Sequence, residues 1–232
     1  MAGASALPDA ILGGNAGAIY SRISSKTRQT AAAALTLSLL ALAGCSSAPT
    51  RFYTLLPPAA AQAAATASFQ IEVQPVDLPP QVSTTQLVVR TGSGEMVPVD
   101  SRRWIAPLGD EFRDALSADL GSRLGARDVY GLPNSTAPKG QGPATWRISV
   151  KVQRFESALG AYARIDAVWT LRRAGDTTIA VTCSSSVSET VQPGYPALIE
   201  GHQRAVADLA GLIAAGLGAA QQGGALACPA AG

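Results

Sequence analysis

The chain has 232 residues, 47% of them hydrophobic and only 15% charged, with 18 basic and 16 acidic side chains. Three of the basic and one of the acidic residues fall before position 45, so the remainder carries fifteen of each and no net charge. A neutral chain without a dense Lys/Arg stripe is ill suited to nucleic acid, whose binding rests on neutralising phosphates.

The first element is a leader. Arg22, Lys26 and Arg28 precede an acid-free apolar run from Ala31 to Ala43, and Leu42-Ala43-Gly44-Cys45 closes it. A charged segment, a short apolar core and small residues at the cut form an export signal. The run is shorter than the ~20 residues of a membrane-spanning helix. Its ending on a cysteine reads as a lipobox: residues 1–44 are removed and Cys45 becomes an acylated N-terminus. The 188 residues from Cys45 onward suffice for one domain with a proper core. In the oxidising compartment that export implies, Cys183 and Cys228 remain as a pair, expected to form a disulfide that pins the C-terminal tail to a strand.

Residues 45–68 read as anchor, tether and a first short apolar strand around Arg51–Leu56, followed by an Ala-rich loop; residues 69–222 read as the domain proper and 223–232 as a tail. Phe69, Ile71 and Val73 alternate with polar residues, the period of a half-buried strand. Gln86–Arg90 and Glu95–Val99 flank Thr91-Gly92-Ser93-Gly94, a hairpin turn. A helix is expected from Pro107 to Leu124, with Leu108, Phe112, Leu116 and Leu120 as its apolar stripe, Asp110 and Glu111 as solvated first-turn charges, and Gly125 closing it. Asp128–Tyr130 reads as a short strand. Alternation of Trp146, Ile148, Val150 and Val152, then Ala163 to Leu171, then Ile179, Val181 and Cys183, predicts three antiparallel strands in a meander, the first turn falling at Ser157–Gly160. A second helix follows Pro193-Gly194, with Tyr195, Leu198, Ile199, Val206, Leu209 and Ile213 buried and Gln203 among the solvent-facing residues. Gly211 and Gly216 each weaken it by roughly 1 kcal/mol, so it should fray before Gln222. The fold class is α+β: a single domain with one largely antiparallel, mixed sheet and two amphipathic helices packed on it.

Chemistry is sparse. His202 is the only histidine and lies within the second helix's apolar stripe, where a packed side chain is expected rather than a ligand or base. Gly92-Ser93-Gly94 is not a nucleophile elbow, and phosphate-loop, zinc-protease and EF-hand patterns are missing. Trp104 beside Arg102 and Arg103 fits either a buried indole at a corner between strand and helix or a partner surface. No cofactor, no metal and no catalysis are expected.

Short segments in a characteristic order carry a resemblance: Phe52-Tyr53-Thr54-Leu55 after Cys45, Ile71 to Pro79, Gln86 to Arg90, Trp104 to Leu108 leading into Glu111-Phe112, and Gly194-Tyr195 with His202-Gln203. The chain resembles the PqiC-like ABC-type transport auxiliary lipoproteins, associated with MCE-type lipid transporters. The resemblance implies a lipid-anchored outer-membrane protein facing the periplasm, in keeping with Ser46 after Cys45. Its implied partners are an MCE-type tunnel protein and its inner-membrane permease, and identical subunits in a ring. The competing readings are a lipoprotein that assembles or plugs an outer-membrane β-barrel, and a periplasmic hydrolase.

Overall fold

The computed structural model describes residues 49–58, 66–133, 142–176, 180–221 and 227–229, all within one compact unit, Pro49–Gly232. The leader and Cys45 lie outside the described residues.

Eight strands and two helices follow in order: β1 (Arg51–Tyr53), β2 (Phe69–Val73), β3 (Gln86–Arg90), β4 (Met96–Trp104), α1 (Leu108–Leu124), β5 (Arg127–Asp128), β6 (Ala144–Ala158), β7 (Tyr162–Arg173), β8 (Ala180–Thr190) and α2 (Tyr195–Gln221). The domain is α+β, but its strands form two mixed sheets where one was expected. A five-stranded sheet has the order β5-β2-β6-β7-β8, and a three-stranded one the order β1-β4-β3. The meander β6-β7-β8 is antiparallel, while β2 runs parallel to both β5 and β6. In the small sheet β3 and β4 form the hairpin, and β1 adds to β4 in parallel, pairing Phe52 with Arg103 and Tyr53 with Trp104. Periodicity marks each strand but not its neighbour, so the division into two sheets was not legible locally.

The helices follow from their sequences with few departures. Pro107, the expected first helical residue, sits instead at the N-cap of α1, which begins at Leu108, and its carbonyl accepts from the amides of Asp110 and Glu111. Gly125 ends the helix in the left-handed region at φ +59°, where a β-carbon would also collide with Thr66. In α2 the expected stripe is buried, except that Tyr195 is half-buried. The helix continues to Gln221 instead of fraying, because Ile213 and Leu217 are fully buried and Gly216 lies against Trp169. Tertiary packing outweighs propensity here.

One irregularity governs the centre of the molecule. Along β6, Trp146, Ile148, Val150 and Val152 face inward, but pairing with β7 slips between Val152 and Arg154. Gln153 is the extra residue of this β-bulge. Because side chains alternate with period two, one inserted residue exchanges the faces of everything beyond it. Phe155 and Ser157 therefore point into the core, and Glu156 points out of it. The strand also runs through Ser157, which the sequence reading placed in a turn.

Phe155 joins the layers. Its ring packs edge-on against Trp104 of β4 at 6.2 Å and Phe112 of α1 at 6.4 Å, and stacks on His202 of α2 at 4.1 Å. Cys183 on β8 is bonded to Cys228, their Cα atoms 5.5 Å apart, which holds residues 227–229 beside the edge of the large sheet. Ile179, expected on this strand, lies outside the described residues.

Candidate functional site

Polar and charged side chains cluster in three places, and the residues singled out by sequence lie in the first and beside the third; the second was not picked out by any motif. His202 is fully buried. Its Nε2 lies 2.8 Å from Ser157 Oγ, and its Nδ1 has no hydrogen-bond partner among the described residues. Burial lowers its pKa from 6.5 to about 3, so the ring is neutral at any physiological pH. A serine and a histidine at this distance have the atoms of a nucleophile and base. With both groups sealed from solvent and no acid orienting the ring among the described residues, the pair is a core hydrogen bond.

A second cluster occupies the outward end of the bulge. Glu156 lies 2.5 Å from Arg90 of β3 and accepts from Tyr162 at 3.1 Å. Arg154 and Arg164 approach Asp166 at 3.2 and 2.9 Å, and Ser186 donates to Asp166 at 2.7 Å. Burial pushes both carboxyls up, but the donors around them prevail, and Glu156 and Asp166 sit below the usual carboxylate range. A shallow cavity of about 240 Å³ borders this cluster, lined by Gln81, Val82, Arg90, Met96, Arg154 and Glu156 among others. Both carboxylates are already paired, and three guanidinium groups against two carboxylates leave a formal charge of +1, modest for recruiting a ligand. Among the described residues no group of His, Cys, Asp and Glu is arranged to hold a metal ion.

The third place is the N-terminal edge, where the most distant parts of the chain converge. Past β1, Thr54 and Leu55 meet both helices. Glu111 of α1 accepts from Thr54 Oγ1 at 2.7 Å and from the amide of Leu55 at 2.8 Å. From α2, Gln203 Nε2 donates to the carbonyls of Thr54 and Leu56 at 3.1 and 3.3 Å. Leu55 fills the core between them. Two sequence expectations are corrected here. Glu111 is 4% exposed instead of solvated, and Gln203 is half-buried instead of facing solvent. A carboxylate in a helix's first turn satisfies the dipole whether it faces water or a neighbouring strand, so sequence could not separate the two cases.

Trp104, Arg102 and Arg103 adjoin this joint at the end of β4. Trp104 is 2% exposed, which makes it the buried indole of the two readings and removes it from any surface. The Arg102 guanidinium lies over the Tyr195 ring at 4.9 Å, while Arg103 is paired in register with Phe52. Both arginines are half-buried.

Thr54, Leu55, Trp104, Glu111, Phe112, Tyr195, His202 and Gln203, which carried the resemblance from separate segments, thus lie in or beside this joint and the core beneath it. A family model described as the ABC-type transport auxiliary lipoprotein component matches residues 53–214, most of the chain. The chain belongs to that family. Membership makes the protein a membrane-anchored auxiliary component of ABC-type transport, a role in assisting transport and not in catalysis. A solved structure titled only as an uncharacterized protein is 20% identical, with a TM-score of 0.56 over 73% of this chain and 99% of its own. A Xanthomonas campestris protein of the DUF330 family is 17% identical, with a TM-score of 0.51 over 75% of this chain and 96% of its own. At these identities the likeness establishes the shared fold alone. No curated protein matches the chain.

Proposed function

We propose that residues 1–44 are removed, that Cys45 is acylated, and that the domain docks the periplasmic conduit of an MCE-type lipid transporter at the outer membrane, without chemistry of its own. The observation that carries this reading is the joint at Thr54–Leu56. An enzyme's distant residues converge on an accessible pocket where a substrate can sit. Here they converge on the chain immediately after the tether, fastening it to both helices, which is what a load-bearing attachment between anchor and domain requires. The physical need is plain, because moving lipid through an aqueous periplasm exposes acyl chains at ~0.8 kcal/mol per CH₂. A closed conduit avoids that exposure only if its far end is held at the membrane. Two or more acyl chains hold a domain stably, where one is marginal.

The test is a cross-linked affinity capture of the lipidated protein from native membranes, with the partners identified by mass spectrometry. Recovery of an MCE protein with its permease supports the docking role. Recovery of a β-barrel alone replaces it with the barrel-assembly reading. In parallel, Cys45→Ser should yield a folded but mislocalised domain that fails to complement a deletion; full complementation would show the anchor to be dispensable.

A further inference from the structure

The outward side of β1 and the residue that follows β4 expose large apolar groups. Phe52 is 58% exposed and Ile105 is 63% exposed. They belong to one edge: Phe52 pairs with Arg103, and the Ile105 amide donates to the Tyr53 carbonyl at 2.8 Å. Tyr53 and Trp104, their neighbours in sequence, turn inward against the core. Arg103, paired with Phe52 and so on the same face, has no carboxylate partner among the described residues, while Arg51 pairs with Arg102 on the Tyr53 face.

We propose that this edge, Phe52 and Ile105 with Arg103, rests on the phospholipid bilayer that holds the anchor. The inference relies on acylation of Cys45. Phe52 lies seven positions after Cys45, a reach of at most about 25 Å even fully extended. That is less than the breadth of a domain of this size, whose radius of gyration is roughly 16 Å. The tether therefore keeps β1 close to the membrane. The joint at Thr54–Leu56 fixes the strand to the helices, so the edge approaches in one orientation. Its chemistry suits that surface: an aromatic and a branched aliphatic side chain enter the interface between headgroup and acyl chain, and the Arg103 guanidinium meets lipid phosphate. With no net charge beyond the leader, the chain has no general attraction to anionic lipid, and the affinity is confined to this edge.

The full lipidated chain tests this in vesicles of phosphatidylethanolamine and phosphatidylglycerol. Phe52→Cys and Ile105→Cys each supply one free thiol for an environment-sensitive fluorophore, since Cys45 is acylated and Cys183 is bonded to Cys228. Leu132→Cys is the comparison position, an exposed residue just beyond β5, an edge strand of the other sheet. The expected result is a blue shift at 52 and 105, with quenching by brominated acyl chains severalfold stronger than at 132. Adding Arg103→Gln should weaken that quenching. Quenching at 52 and 105 by aqueous iodide as free as at 132, on chain whose mass shows the acyl groups, would overturn the proposal while leaving the anchor intact. A blue shift without brominated-lipid quenching would overturn it as well, pointing to a protein occupant such as a second copy. A mass without acyl groups would instead remove the anchoring reading, and this inference with it.

Discussion

His202 and Ser157 are instructive at the scale of single residues, because their pairing exists only through an irregularity elsewhere. The imidazole is held neutral by burial, its pKa near 3 against 6.5 in the unfolded chain. Below pH 6.5 the unfolded state therefore takes up a proton that the folded state refuses. The stability this represents is complete above pH 6.5 and is lost as pH falls toward 3. Between pH 7 and 5 this one residue should withdraw about 2 kcal/mol of stability. Urea denaturation at the two pH values measures it. The double variant His202→Phe, Ser157→Ala removes the titrating ring without orphaning the hydroxyl, and should flatten the pH dependence by about the same amount. An unchanged slope would mean that the ring protonates in place. His202's position in an apolar stripe made its burial readable from sequence, but the identity of its partner was not, because Ser157 faces inward only after the bulge at Gln153.

At the scale of elements, the informative contacts are those that hold β1. A three-residue parallel strand has few hydrogen bonds of its own, and it is retained by Glu111 from α1 and Gln203 from α2 acting on the three residues beyond it. Glu111→Ala would leave a buried amide at Leu55 without an acceptor and should cost about 2–3 kcal/mol. Gln203→Ala, at a half-buried site, should cost about 1 kcal/mol. Because both act on Thr54, the double variant should depart from the sum of the single ones, which a double-mutant cycle by chemical denaturation would reveal. Strict additivity would mean that the two side chains act independently. Gly201 shows the same dependence on packing. A β-carbon there would overlap Val191 and press on Ala163, so the glycine sets how closely α2 approaches β7 and the end of β8. Sequence reasoning noticed Gly211 and Gly216 for their low helix propensity and passed over Gly201, because nothing local distinguishes a glycine that is tolerated from one that is required.

For the whole molecule, the Cys183–Cys228 bond closes a separation of 45 residues that contains all of α2. Such a closure restricts the unfolded chain and should contribute about 2–4 kcal/mol. Thermal melts of the wild type with and without reductant, and of a Cys183→Ala, Cys228→Ala variant, measure this. Reductant should lower the wild-type transition and leave the variant unmoved. A wild-type transition indifferent to reductant, with free thiols detected, would show that the tail adds nothing to stability.

The sequence by itself determined the α+β class, the hairpin, the meander and both helices, and the family to which their order belongs. Those properties rest on local period, turn residues and caps, which act over a few neighbouring positions. Only the tertiary structure decided that the strands divide into two sheets, that the register slips at Gln153, and that Glu111 and Gln203 turn inward to hold Thr54 and Leu55. Each of those depends on groups 45 or more residues apart in the chain, or on a single inserted residue whose effect is to exchange two faces. Periodicity says which face is apolar; it does not say which strand or helix will cover it.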